Sequence, residues 1–324
     1  MKRVRVLVYH ADEAQQYAAL IRAPRGRVIV DVASKPDEAS AALAETDVLY
    51  AWRFPPALYT RASRVRWLQA MGAGVDWALV PELPSGVVVT RTPGIFGPWM
   101  AEYVLGWCSW VTQRIAQYQD AQRQRRWRDD LLPDRLAGKT LVIVGLGDIG
   151  RTIAKAARRA GLRVVGVSRS GGRQSSRRGS GAPMAGVDRV FRTTELARAL
   201  KLADFVALTV PLTPETRGMI GARELAAIPR TAWLINIARG AIVEEAALVD
   251  ALRGGRIGGA ILDVFAEEPL PANHSFWALP NVAITPHISG PSTPPEIAPI
   301  FNDNLARFLA GRRLRHIVDR GRSY

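Results

Sequence analysis

Short apolar runs alternate with helical patterns along most of the 324 residues. Runs rich in β-branched residues predict strands at Val4–Tyr9, Arg27–Val32, Asp47–Trp52, Arg66–Met71 and Val87–Thr90. Helical spacing at Glu13–Ile21 and Glu38–Glu45 separates the earlier ones. A second series predicts strands at Thr140–Val144, Arg163–Val167, Phe205–Val210, Trp233–Ile237, Ala260–Val264 and Val282–Thr285. Between them lie helical patterns at Ile149–Ala160, Glu195–Leu200, Arg223–Ile228 and Glu244–Arg253. Near-continuous apolar strands separated by amphipathic helices indicate parallel sheets covered on both faces. Two such series predict an α/β chain of two doubly wound parallel-sheet domains.

A long helical pattern from about Met100 to Arg126 lies between the series, after the helix-breaking Thr92-Pro93-Gly94 and Gly97-Pro98. A proline cluster from Pro291 to Pro295 precedes a last helical run from Glu296 to about Ala310. This run can fold back onto the first domain and leave the second inserted in the middle, a return that periodicity alone does not establish. The stretch Gly171–Gly186, rich in Gly, Ser and Arg, reads as a mobile loop rather than a linker, because strand-helix alternation resumes beyond it.

Composition adds bounds. Hydrophobic residues make up 48% and charged residues 23%, an ordinary globular balance, and the length suffices for two cores. The single cysteine, Cys108, excludes an intramolecular disulfide, and its apolar neighbours suggest a small buried side chain. The basic start Met1-Lys2-Arg3 precedes an apolar run too short and too interrupted for a secretory signal. No stretch approaches the roughly 20 apolar residues of a membrane helix, so a cytoplasmic protein without a membrane partner is expected.

The net charge is +15 and the isoelectric point about 10.8. Arginines cluster at Arg123, Arg125, Arg126 and Arg128, at Arg173, Arg177 and Arg178, and at Arg312, Arg313 and Arg315. Such clusters can neutralise phosphates, but zinc-ligand spacing, an RNA-recognition signature and a basic zipper are all missing from the sequence. Solvated faces and attraction of anionic small molecules are the preferred reading; neither a nucleic-acid partner nor a metal is expected.

Gly145-Leu146-Gly147-Asp148-Ile149-Gly150 follows the strand Thr140–Val144 and opens a helix. In that context Gly145 permits a tight turn, Gly147 admits a pyrophosphate to the backbone, and Gly150 lets helix and strand pack closely. The helix N-terminus then offers amides to the anion. About twenty residues on, the chain reads Val167-Ser168-Arg169-Ser170 with Arg173 beyond, where an NAD-selective site usually carries an acid. A guanidinium and two hydroxyls suit a 2′-phosphate, so NADP(H) is favoured over NAD(H).

Three further residues carry chemistry. Arg239 follows the strand Trp233–Ile237, at the carboxyl edge where α/β proteins place ligands, although an arginine before glycine is often a surface residue. Its fork suits a carboxylate and an adjacent carbonyl. His287 follows another strand end, with Glu268 one loop and strand earlier. A lone histidine is usually structural, but one beside a carboxylate favours its imidazolium and can act as a general acid. Met71-Gly72-Ala73-Gly74-Val75-Asp76 also follows a strand, and the amides of Ala73, Gly74 and Val75 can form a small anion nest or merely a glycine turn.

Gly-Leu-Gly-Asp-Ile-Gly, Asn-Ile-Ala-Arg-Gly, Leu-Asp-Val-Phe-Ala-Glu-Glu-Pro-Leu, Thr-Pro-His-Ile and Met-Gly-Ala-Gly-Val-Asp together resemble the motifs of NAD(P)-dependent D-2-hydroxyacid dehydrogenases across essentially the whole chain. Within that family the chain most resembles bacterial NADPH-preferring glyoxylate/hydroxypyruvate reductases, through Ala51-Trp52-Arg53-Phe54-Pro55-Pro56, Ser168-Arg169-Ser170 and the ending Val318 to Tyr324. The resemblance implies catalytic roles for Arg239, Glu268 and His287, and substrate contacts at Trp52, Arg53, Ala73, Gly74, Val75 and Arg239. It implies cofactor contacts at Asp148, Ile149, Val210, Pro211, Ile237, Ala238, Arg239, Asp263 and His287, besides the glycines and the 168–170 segment.

It also implies Rossmann/flavodoxin-like domains with an interdomain cleft: a discontinuous substrate domain at 1–98 and 291–324 around a dinucleotide domain at 99–290. A homodimer is implied as well, with Trp127 in a segment that in some relatives reaches the partner's site. The proline-rich 291–295 segment and the guanidinium of Arg53 depart from the family pattern and leave the 2-oxo acid open, with Phe96 and Trp99 as further aromatics able to shape the choice. Related transcriptional corepressors keep the fold and sense dinucleotide, which is the alternative of a different class. Dehydrogenases of bulkier 2-oxo acids or of phosphite are nearer alternatives. Formate dehydrogenases fit less well, since they carry an amide where Glu268 stands.

Overall fold

The first series of apolar runs forms a sheet of five parallel strands. A computed structural model of the chain describes residues 3–171 and 184–322. Arg173, Arg177 and Arg178, most of the Gly171–Gly186 stretch, Met1-Lys2 and Ser323-Tyr324 lie outside the described residues. The chain divides into two units, Met1–Ile95 with Ser292–Tyr324, and Phe96–Pro291.

In the first unit β1 (Val4–Tyr9), α1 (Ala14–Ala19), β2 (Val28–Ala33), α2 (Pro36–Leu43), β3 (Val48–Ala51), β4 (Trp67–Ala70) and β5 (Val88–Thr90) follow one another. The strands lie in the order β2-β1-β3-β4-β5, all parallel. Strand periodicity divides β1 between two cores. Leu7 and Tyr9 join Leu49, Ala51 and Leu68 on one face, while Val6 and Val8 join Val48, Tyr50 and Trp67 on the other.

The second unit contains α3 (Phe96–Thr112), α4 (Ile115–Arg123), β6 (Thr140–Val144), α5 (Asp148–Arg159), β7 (Arg163–Ser168), β8 (Arg189–Arg192), α6 (Leu196–Leu200), β9 (Phe205–Leu208), α7 (Ala222–Ala227), β10 (Trp233–Asn236), α8 (Glu245–Arg253), β11 (Gly259–Leu262) and β12 (Val282–Ile284). Its seven strands are ordered β12-β11-β10-β9-β6-β7-β8, again parallel throughout. Val142, Val144, Val206, Leu208, Leu234, Ala260 and Leu262 face one side. Leu141, Ile143, Phe205, Ala207, Ile235 and Ile261 face the other. Burying each such Val, Leu or Ile contributes about 1.5–3 kcal/mol, which explains why these strands read as continuous apolar runs.

The last helix, α9 (Pro294–Leu309), begins where Thr293 and Glu296 form a capping box. It belongs to the first unit, completing the return that periodicity left open. Phe301 stacks on Tyr50 at 4.0 Å and lies 5.3 Å from Trp67. Buried Asn304 donates to Gln69 Oε1 at 3.2 Å, and Gln69 also accepts from Thr90 at 2.7 Å. An aromatic stack and a satisfied polar network bind sequence-distant segments into one domain.

The structure corrects three expectations. The single helix from Met100 to Arg126 is two helices, because Arg114 takes a left-handed φ of +53° between α3 and α4. Helix α3 also starts earlier, at Phe96, and takes Pro98 into its first turn, where a missing N–H costs no intrahelical bond. Edge strand β8 was not foreseen: only its Phe191 is buried, so Arg189-Val190-Phe191-Arg192 lacks the apolar run of a central strand.

Candidate active site

In an open parallel sheet, ligands collect where the strand order reverses. In the second unit that point lies between β6 and β9, whose pairing ends at Val144 and Leu208. Beyond it, Gly145 turns the chain with φ +107°, and a Cβ there would lie 2.9 Å from the backbone of Thr209 and Val210. A Cβ on Gly150 would lie 2.0 Å from the Gly145 carbonyl oxygen. Thr209 Oγ1 donates to that same oxygen at 2.6 Å. Thr209 is a positioning residue that motif reading missed, since only strand register sets it opposite Gly145.

Gly147 differs from its two neighbours in the motif. A Cβ there would meet nothing within 4 Å, so the protein's own packing does not require glycine. Its backbone lies open ahead of the twelve-residue helix α5, whose first turn holds Asp148, Ile149 and Gly150. These residues fit the pyrophosphate of a dinucleotide. Gly147→Ala is therefore expected to shift the melting temperature only slightly, because the stiffer unfolded chain is offset by alanine's being a poorer N-cap for α5. The same variant should weaken NADPH binding about tenfold or more, since a methyl blocks close approach to the pyrophosphate. Thermal melts and fluorescence titration would check the pair of outcomes, and unchanged affinity would remove the proposed contact.

At the end of β7, the hydroxyls of Ser168 and Ser170 each donate to Gly171 O at 3.3 Å, and Arg169 is exposed. Glu215, beyond β9, has its carboxyl held below the usual range by the Thr213 hydroxyl first, with Arg169 a smaller cause. A carboxylate therefore stands within electrostatic reach of Arg169. The local sequence at 168–170 could not disclose it, because the acid comes from the loop after a different strand. Val210 lines the Gly145 turn, Pro211 O accepts from Thr216 Oγ1 at 2.6 Å, and Ile237 and Ala238 are buried.

Arg239 is half-buried in the stretch between β10 and a short turn at Gly240–Ile242. Buried Asn236 clamps this stretch from both sides. Its Nδ2 donates to Arg239 O at 3.0 Å, and its Oδ1 accepts from Ala238 N at 3.1 Å. The Arg239 guanidinium donates to Ala238 O at 2.8 Å. Asn236 is a second positioning residue for which the motif alone assigned no task. A Cβ on Gly240 would lie 1.9 Å from Phe265 C and 2.3 Å from Ala266 N, so the segments carrying Arg239 and Glu268 touch backbone to backbone.

His287 Nδ1 lies 2.8 Å from Glu268 Oε2 and 3.1 Å from Oε1, both side chains being partly buried. A carboxylate only accepts, so Nδ1 carries the shared proton. Glu268 Oε1 also accepts from Phe265 N at 3.1 Å. His287 adopts φ +56°, a left-handed conformation that costs a non-glycine residue about 1–3 kcal/mol.

Asp263 offsets that cost. Its carbonyl accepts from His287 N at 2.8 Å, and its fully buried carboxylate accepts from Ile288 N, Ser289 N and Thr285 Oγ1 at 2.9, 2.9 and 2.6 Å. The Thr285 proton is committed to Asp263, so Tyr103 OH donates to Thr285 Oγ1, at 2.6 Å. Asp263 thus holds the histidine segment.

In the first unit the strand order reverses between β1 and β3, and Trp52 and Arg53 follow β3. Trp52 packs on Gly72, where a Cβ would lie 3.2 Å from the indole. Ala73 and Gly74 are partly exposed, Val75 is buried, and Arg53 is exposed with φ +51°. His10, which sequence reading passed over, lies 6.3 Å from Trp52, its Nδ1 accepting the amides of Asp12 and Glu13. Elsewhere Phe96 is buried, whereas Trp99 is 43% and Trp127 91% exposed. Cys108 is buried in the α3 core and its thiol is pushed up by burial, which makes it a poor nucleophile. Among the described residues no helix is long and apolar enough to cross a membrane, and no cluster of three or more His, Cys, Asp or Glu side chains can hold a metal ion.

A glycine turn at the switch point and a carboxylate-backed histidine on the same sheet define a dinucleotide-using oxidoreductase. Residues 106–289 match the family model described as D-isomer specific 2-hydroxyacid dehydrogenase, NAD binding domain. The chain is 34% identical over 290 residues to a glyoxylate reductase of Aeropyrum pernix, covering 85% of this chain and 84% of that protein. It is 32% identical over 280 residues to glyoxylate/hydroxypyruvate reductase A of Serratia proteamaculans, covering 84% and 86%. A solved NADPH-dependent glyoxylate/hydroxypyruvate reductase from Sinorhizobium meliloti, in complex with NADP and sulfate, superimposes with a TM-score of 0.86 at 30% identity over all of both chains. The chain belongs to the D-isomer specific 2-hydroxyacid dehydrogenase family.

Proposed function

We propose that this enzyme reduces small 2-oxo acids with NADPH, with glyoxylate and hydroxypyruvate as its substrates and a D-configured product where the product is chiral. The single observation that carries the reading is the 2.8 Å His287–Glu268 pair in the unit that holds the glycine turn. The names of the relatives support the substrate class, and Ser168, Arg169 and Ser170 support the choice of NADPH.

When bound, NADPH supplies the hydride that reduces the 2-oxo carbon. Arg239 takes the substrate carboxylate and polarises the 2-oxo oxygen. The amides of Ala73, Gly74 and Val75 are a second proposed carboxylate contact, and Trp52 and Arg53 are proposed to select the group beyond the 2-oxo carbon. His287 gives the proton on Nε2 to the developing alkoxide, while Glu268 holds the ring through Nδ1. Asp148, Ile149, Val210, Pro211, Ile237 and Ala238 are proposed to line the cofactor, and Asp263 to act through the histidine segment. The residues of 1–95 and 292–324 are assigned to substrate and those of 96–291 to dinucleotide. A cytoplasmic homodimer completes the proposal.

The test is absorbance of NADPH and NADH with a panel of 2-oxo acids. Rapid loss of NADPH with glyoxylate or hydroxypyruvate is expected, and binding without turnover across the panel would favour a dinucleotide sensor instead. In the same assay Arg169→Asp should swing the NADPH-to-NADH ratio of kcat/KM toward NADH by about tenfold or more, the scale of one charge-assisted hydrogen bond of about 1.5–3 kcal/mol. An unchanged ratio would reject Arg169 as the phosphate partner.

A further inference from the structure

The loop that carries Glu268 has an anchor outside the catalytic set. Glu245, the first residue of α8, accepts the N–H of Ala266 on Oε1 at 3.1 Å. Its other oxygen, Oε2, lies 3.7 Å from His274 Nε2. His274 Nδ1 accepts the N–H of Phe276 at 3.2 Å, so the ring's proton is on Nε2 and faces Glu245. The imidazole is further seated against Phe276, with ring centres 4.6 Å apart. One carboxylate therefore accepts the loop's amide at Ala266 and lies beside His274 further along it, and Glu268 lies between these two residues in the chain.

We propose that Glu245 is a positioning residue for the reduction: together with His274 it sets the height of the Phe265–Glu268 segment and so the contact between Glu268 and His287. Two adjacent amides divide the task. Phe265 N goes to Glu268 itself, and Ala266 N goes to Glu245. Gly240 closes the other side, since it touches the Phe265–Ala266 peptide without room for a methyl group. The peptide is held between the turn after Arg239 and the start of α8. Releasing the Glu245 side leaves Ala266 N without its acceptor and frees Glu268 to move relative to His287. A displacement of about 1 Å in a catalytic group is enough to cost up to about 100-fold in rate.

The inference rests on the proposed reductase reading, so its test pairs turnover with a readout independent of activity. Glu245→Ala and Glu245→Gln would be compared with wild type for kcat, for KM, for NADPH affinity and for the ring resonances of His287. The chain has four histidines, so these signals can be assigned by single substitution. The expected result for Glu245→Ala is a kcat lowered about 10- to 100-fold with NADPH affinity retained, and shifted His287 resonances. Glu245→Gln keeps an oxygen acceptor for Ala266 N and should restore most of both. Retained NADPH affinity excludes simple unfolding. Unmoved His287 resonances, or equal losses in the two variants, would overturn the proposal. A wild type that turns over no 2-oxo acid would sink the reductase reading, while the resonances would still decide whether Glu245 positions the pair.

Discussion

His287→Ala is expected to lower kcat by about two to four orders of magnitude while leaving NADPH affinity nearly intact, the usual scale for removing a positioned general acid. The imidazole touches Glu268 through Nδ1, and its backbone is held separately by Asp263, so loss of the ring need not release the segment. Glu268→Gln should cost less than His287→Ala, because the amide can still orient the ring without favouring its charged form. The double variant decides the assignment. If Glu268 acts only through His287, adding Glu268→Gln to His287→Ala should bring almost no further loss. Steady-state kinetics on the four proteins closes the cycle, and additive losses would mean that Glu268 has a task of its own in the reaction.

Gly240→Ala should be nearly as damaging although residue 240 carries no reactive group. The new methyl would lie 1.9 Å from Phe265 C and 2.3 Å from both Phe265 O and Ala266 N, all backbone atoms. No side-chain rotation relieves such contacts, so one segment must move by more than 1 Å to reach ordinary van der Waals separation of about 3.5 Å. Arg239 lies on one side of the contact and Glu268 three residues along the other. A loss of about 100-fold or more in kcat/KM is expected from that displacement, with about 1–3 kcal/mol of stability lost to overpacking. Denaturant melts and kinetics would read the two effects. Activity close to wild type would show that the two segments need not meet as they do. The contrast with Gly147, whose methyl would meet only open space, separates glycines required by the fold from one required by a ligand.

Much of the fold was legible because burial on both faces forces strands to be continuous apolar runs. β6, β9, β10 and β11 each appear in the chain as such a run, and each lies at the centre of its sheet. β8 escaped because an edge strand buries only Phe191 and carries an arginine at each end. The break between α3 and α4 escaped because Arg114 is not a residue that announces a left-handed turn. For the site, the motifs and their resemblance to a known family named the glycines and the Arg239, Glu268 and His287 set, although an arginine or a histidine taken singly at such a place is more often structural. Thr209, Asn236, Tyr103, Thr285 and Glu245 had no such signal. Each is a common residue that acts through hydrogen bonds, local to its own turn for Asn236 and to segments brought near by folding for the others.

Hydrophobic periodicity, the glycine turn and the residues at strand ends are local properties, so reading along the chain suffices for two parallel-sheet domains and for the chemistry of a dinucleotide-using reductase. Folding alone decided that α9 seals the first sheet through Phe301 and Asn304, that Glu215 stands near Arg169, and that Gly240 and Glu245 hold the Glu268 loop from two sides. Hydrogen bonds and close packing act over about 3–4 Å in space regardless of separation along the chain. Partners set by strand register and crossover therefore leave no pattern in the order of the residues.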